Sequence, residues 1–129
     1  MPHTEVCFFK DDDGSVPVLE FIEELAKRDR KVARKCVARI EALQEFGHEL
    51  RRPLADILRD GIYELRIRVG RVNYRLLYFF HGQHAAVLAH ALTKEKEVPN
   101  RDIERAIERM ERFKDDPERH TYEEANPNG

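Results

Sequence analysis

The clearest hydrophobic pattern in the chain lies between Gly61 and Lys96. Over Ile62–Val69, Tyr63, Leu65, Ile67 and Val69 point one way while Glu64, Arg66 and Arg68 point the other, which is the period of a half-buried strand. Val72–Phe80 is rich in β-branched and aromatic residues, and Gly70-Arg71 between the two runs has the composition of a two-residue hairpin turn. Gly82-Gln83 has the same form before a third run, so the segment predicts a three-stranded antiparallel meander. Helical spacing appears on both sides of it. Leu19, Ile22, Leu25 and Ala26 recur behind Ser15, a fair N-cap, and Pro17 in the first turn, up to about Lys27. Ala33, Cys36, Val37, Ile40 and Leu43 form a second stripe from Asp29 or Arg30, ended by Gly47, and the two stripes predict a helical hairpin. A short strand, Glu5–Lys10, precedes them and is broken by Asp11-Asp12-Asp13-Gly14. After Pro99 and Asn100, a last helix carries Ile103, Ala106, Ile107, Met110 and Phe113 on one face. Glu49–Asp60 contains a proline and mixed polarity, and reads as a loop with at most one short turn.

The expectation is an α+β fold of N-terminal strand, helical hairpin, three-stranded antiparallel meander and C-terminal helix, all within residues 1–113. Residues 114–129 have two prolines and no periodicity and read as an acidic, flexible tail. Charge divides the same way. Residues 1–112 hold 21 Lys/Arg against 20 Asp/Glu, whereas residues 113–129 hold 2 against 5. A net charge near +1 excludes a protein that binds nucleic acid by bulk charge, so any such binding must use a local patch. No stretch approaches the ~20 apolar residues of a membrane span, and the N-terminus does not have the form of a signal peptide. The reading is cytoplasmic, with no membrane partner. Cys7 and Cys36 stand apart from any metal-ligand spacing and read as reduced, buried thiols.

The patch is in the meander. A two-residue turn at Gly70-Arg71 sets Val69 opposite Val72, and counting outward sets Arg66 opposite Arg75. A two-residue turn at Gly82-Gln83 would pair His81 with His84, Tyr78 with Val87 and Arg75 with His90, placing Arg66, Arg75 and His90 in one row across three strands. Arg68, Asn73, Leu92 and Lys94 extend that face. Opposed side chains have Cβ atoms about 5 Å apart, where like charges are destabilising, so something must offset the repulsion. Two adjacent arginines offer paired donors to a phosphate, and a histidine beside them has its charged form disfavoured and can accept a proton near neutral pH. Taken singly, the same residues also read as solvated strand positions, with Glu64 neutralising one arginine. Lys94 and Lys96 read equally as a solvated charge run, and Tyr78 has core parity.

The order PVLEFIEEL, a second helix, a Pro-containing loop, DGIYELRIR, NYRLLYFF and VLAHALTKEKEVPNRDIERA resembles the HigB-type, phage-derived branch of the RelE superfamily (RelE/ParE-like) over roughly residues 6 to 112. The resemblance implies a RelE-like fold, with residues 1–113 as the toxin domain of a type II toxin–antitoxin system. It implies a ribosome-dependent mRNA interferase that inhibits translation by attack of the ribose 2′-OH on the adjacent phosphate, without a metal or other cofactor. The implied partners are mRNA on the ribosome and a helix-turn-helix antitoxin; the oligomeric state is left open. Carried onto this chain, the resemblance points to Arg66, Arg75, His90, Lys94 and Lys96; the mechanistic expectation is that Arg66, Arg75, His90 and Lys94 are catalytic and that Arg68, Arg71 and Lys96 hold flanking phosphates. Two other readings remain: a catalytically inactive RelE-like module acting through antitoxin or operator contacts, and a metal-free nuclease acting on naked RNA.

Overall fold

Consecutive residues of a strand face opposite ways, so the run Leu76-Leu77-Tyr78-Phe79-Phe80 needs cover on both sides. The structure, a computed structural model describing residues 3–93 and 97–123, gives it a three-layer setting. The strands are β1 (Glu5–Phe8), β2 (Ala55–Arg59), β3 (Ile62–Val69), β4 (Val72–His81) and β5 (Ala85–Thr93), in the spatial order β1-β5-β4-β3-β2. All neighbours are antiparallel except β1, which lies parallel to β5. Helices α1 (Pro17–Arg28) and α2 (Arg30–Phe46) cover one face, burying Ile22, Leu25, Cys36 and Leu43 against Leu65, Ile67, Leu76, Tyr78 and Leu88. Helix α3 (Asn100–Asp115) covers part of the other face, where Ile103, Ala106, Met110 and Phe113 meet Ile62, Leu77, Phe79 and Val87. The expected α+β order is present and is consistent with a RelE-like fold.

The helical hairpin follows its apolar stripes. Asp29 caps α2, its carboxylate accepting from Lys31 N, while α1 begins without Ser15: that residue bonds Asp13, and the Glu20 carboxylate accepts from Val16 N instead. Gly47 ends α2 with φ +51°, and a Cβ there would run into the Thr4 hydroxyl. A side chain at this position is therefore barred twice, by backbone conformation and by contact.

Two expectations fail. The segment read as a loop contains the edge strand β2, whose residues do not alternate cleanly because Ile57 is exposed and α3 begins to cover Leu58. The stretch read as tail is folded through Tyr122. A short helix, α4 (Pro117–His120), turns the chain back along β1, where Thr121 bridges Phe9 and Tyr122 N donates to Phe8 O at 2.9 Å. His120 is buried, its ring stacked on Phe9 at 5.2 Å and its Nδ1–H donating to Lys10 O. The acidic turn after β1 holds this end down, since Asp11 and Asp12 both accept from Arg112 and Asp12 pairs with Arg119. Residues 124–129 of the predicted tail lie outside the described residues.

Candidate functional site

The β3–β4 register is the one counted from the sequence: Val69 faces Val72, Ile67 faces Tyr74, and Arg66 faces Arg75. Gly70, at φ +62°, supplies the backbone a two-residue turn demands. Two guanidiniums are thus forced together. The offset comes from Glu64, two residues from Arg66 on the same face and only 2% exposed. Its Oε1 accepts from Arg66 Nε at 2.9 Å and from Arg75 Nη1 at 2.5 Å. Asp56, opposite Glu64 on β2, adds a second carboxylate: its Oδ2 accepts from Arg66 Nη2 at 3.3 Å and from Arg52 Nε at 2.8 Å. The Arg52 hydrogen bond, helped by the charge of Arg66, holds the Asp56 carboxyl below the usual carboxylate range. Acid opposes acid on one rung and base opposes base further along, so the ion pairs of Arg66 and Arg75 with Glu64 and Asp56 run within a strand or on the diagonal.

The row does not extend to His90 as expected. The second turn has three residues, pairing His81 with Ala85, and a bulge between Leu77 and Tyr78 shifts the register again. Tyr78 therefore faces Leu88 rather than Val87, Arg75 faces Leu92, and His90 sits opposite Leu77. His90 is diagonal to Arg75, and its ring is turned into α3. Its Nε2 lies 2.7 Å from Asp102 Oδ1 and its Nδ1 3.2 Å from Arg109 Nη1. A guanidinium only donates, so Nδ1 accepts and Nε2–H donates to Asp102. Both ring nitrogens are engaged. Burial pushes the His90 pKa down, Arg109 and Arg105 push the same way, and Asp102 opposes them. The direction is the expected one, but its cause is α3 and burial rather than the arginine pair. Asp102 and Arg109 were missed by sequence reading, although their separation of seven residues puts them on one helix face.

Of the other predicted residues, Arg68 is exposed on the same face with Nε donating to Gly70 O at 3.2 Å, and Arg71 is exposed in the turn. Tyr78 is core: it is 1% exposed, stacks on Tyr63 at 5.4 Å, and burial raises its pKa. Lys94 and Lys96 lie outside the described residues.

Arg66 and Arg75 stand between two cavities. One, of about 330 Å³, is walled by Asp56, Glu64, Glu97, Arg59 and the apolar Leu58, Val98 and Ile103 as well as the pair. The other, of about 470 Å³, is walled by Arg39, Pro53, Leu54, Arg68 and Asn73 together with the pair. Arg39 comes from α2 and was not anticipated. A larger groove of about 660 Å³ between α1 and α2, lined by Ile22, Ala26, Ala33 and Val37 among others, does not include the pair.

Two expectations follow. Glu64→Gln should lower the free energy of unfolding by about 1–3 kcal/mol, the range for a buried hydrogen-bonded group losing its partner. Adding Arg75→Met should recover part of that loss, since the repulsion it removes exists only without Glu64; urea unfolding that shows simply additive costs would contradict this. For His90, the folded-state pKa lies below the unfolded value of about 6.5. Its contribution to stability is thus complete above about pH 6.5 and declines as pH falls from there towards the folded pKa. Urea midpoints between pH 7.5 and 5 should fall more steeply for the wild type than for His90→Gln, and parallel curves would contradict the assignment.

No helix among the described residues is long and apolar enough to cross a membrane. No curated protein matches the chain. Residues 23–111 match the family described as phage derived protein Gp49-like (DUF891), a stretch running from within α1 to within α3 that includes Arg39, Glu64, Arg66, Arg75 and His90. With well over half its length inside that match, the chain belongs to the Gp49-like phage-derived family, which is associated with RelE-like toxins of toxin–antitoxin systems.

Proposed function

We propose that the protein is the HigB-type toxin of a type II toxin–antitoxin pair, an mRNA interferase that cuts mRNA on the ribosome and so inhibits translation. The observation that supports this reading best is the opposed Arg66–Arg75 pair, held in place by Glu64 and open to a cavity. Cleavage by this route needs no metal. The ribose 2′-hydroxyl gives its proton to solvent water as its oxygen bonds to the adjacent phosphorus, the bond from phosphorus to the 5′-oxygen breaks, and that oxygen takes a proton from the Lys94 ammonium. The products are a 2′,3′-cyclic phosphate and a 5′-hydroxyl. Arg66 and Arg75 would donate to the non-bridging oxygens as charge builds on the phosphorane. Of His90 and Lys94, the two groups expected to handle protons, Lys94 is assigned the leaving oxygen because both His90 ring nitrogens are engaged. His90 is assigned a positioning role, because its nitrogens are spent on Asp102 and Arg109. Arg68, Arg71 and Lys96 would hold flanking phosphates, and a helix-turn-helix antitoxin would neutralise the protein.

A second reading, a non-catalytic module working through antitoxin or operator contacts, draws on the same geometry, since carboxylates already occupy donors of both arginines. Induced expression in a bacterium separates the two. The wild type should arrest growth and shorten ribosome-bound transcripts, and co-expression of the neighbouring antitoxin gene should relieve the arrest. Arg66→Ala and Arg75→Ala should each cut the cleavage rate by about 10²-fold, the usual cost of removing one transition-state donor. Absence of arrest by folded wild type would overturn the toxin reading, and arrest unaltered by both substitutions would favour the binding module.

A further inference from the structure

The two cavities beside the arginine pair differ in charge, and the difference originates at the edge of the sheet. Ala55–Leu65 is the first β2–β3 pair, and Arg66 N donates to Leu54 O at 2.8 Å as the chain approaches β2. In an antiparallel ladder the carbonyl of a residue points the same way as its amide, so Arg66 O also faces this edge. It is taken not by a strand but by Arg39, whose Nε reaches it from α2 at 2.9 Å. One arginine thus closes the sheet edge and brings its guanidinium to the cavity beyond.

That cavity is lined by Arg39, Arg66, Arg68 and Arg75, and among the described residues no carboxylate lines it. Glu64 and Asp56, which pair with the central arginines, line the other cavity, where three carboxylates stand against three guanidiniums. Among the described residues, counting Glu64 and Asp56 against the four arginines still leaves a positive excess on the α2 side. An anion therefore gains more on that side, and the forked donors of arginine suit the oxygens of a phosphate. We propose that this cavity seats a backbone phosphate of single-stranded RNA and that Arg39 is one of the residues that bind it. The proposal rests on the toxin reading for the identity of the RNA and deepens it by naming the side from which the backbone enters. Arg39 then has two tasks, one nitrogen on the sheet edge and the remainder of its fork for the phosphate.

The test uses the full chain and a fluorescein-labelled single-stranded RNA of about six nucleotides, with affinity read by anisotropy over a range of salt concentrations. Arg39→Gln and Arg68→Gln should each weaken binding about tenfold, the size of one charge-assisted hydrogen bond. Each should also lower the slope of log K against log salt by about 0.7, as expected when one contact to a single-strand phosphate is lost. Arg39→Lys should keep the slope and regain part of the affinity, and Arg34→Gln, on the α1–α2 groove, should change neither. Inorganic phosphate should compete weakly with the RNA for the wild type and less for Arg39→Gln. An Arg39→Gln protein with wild-type affinity and slope overturns the proposal, as does lost affinity at an unchanged slope, which marks a merely structural role. Should Arg39→Gln melt below the assay temperature, Arg68→Gln decides by the same two readouts. RNA binding that behaves as expected in a protein that arrests no growth would overturn the toxin reading and leave the phosphate seat standing.

Discussion

Glu64 lies 2% exposed between two guanidiniums that the β3–β4 register forces into opposition, and one of its oxygens serves both. Without it, a two-residue turn and an alternating strand would place like charges about 5 Å apart on a half-covered face. With it, the repulsion becomes a cluster whose members hold one another's rotamers. A buried carboxylate of this kind is weak evidence for added stability, because desolvation consumes much of the attraction. Its consequence is geometric: it fixes the positions of the Arg66 and Arg75 guanidiniums.

The other features of the site follow from how the sheet is covered. Helix α3 takes the α3-facing end of β4 and β5, and there the bulge between Leu77 and Tyr78 turns His90 onto Asp102 and Arg109. The arginine pair lies beyond that end, beside a cavity walled by Glu97, Val98 and Ile103. Because β2 starts only at Ala55, the β3 edge at Arg66 is closed by Arg39 from the opposite layer. Among the described residues, four arginines and no carboxylate line the cavity on one side of the pair, and three carboxylates face three arginines on the other. This reconciles a chain with almost no net charge and the proposed role, which needs a phosphate site: the positive charge is local, and its carboxylate partners Glu64 and Asp56 line one side.

Much of this was legible in the sequence. Period-2 alternation in Ile62–Val69 and the tight Gly70-Arg71 turn were enough to derive the Arg66–Arg75 opposition, and the apolar stripes located all three long helices. The second hairpin was not derivable in the same way, because a glycine-containing turn of two residues and one of three look alike, and a bulge leaves no mark in hydrophobic parity. Strand β2 escaped because its outward Ile57 spoils the alternation. Residues 117–122 escaped because they pack by hydrogen bonding and by one buried histidine on Phe9, neither of which has a period. Arg39 was hidden for a different reason: its partner is a main-chain carbonyl distant in sequence.

Membership of the Gp49-like family carries an association with RelE-like toxins, and the proposed RNA cleavage by attack of a 2′-hydroxyl rests on the arginine pair. The chemistry has a signature that no binding module can leave. The decisive measurement is the end chemistry of transcripts cut when purified protein is added to mRNA-programmed ribosomes. The account predicts 2′,3′-cyclic phosphate and 5′-hydroxyl ends that vanish with Arg75→Ala; 5′-phosphate ends, or intact transcripts with folded wild-type protein, would contradict it.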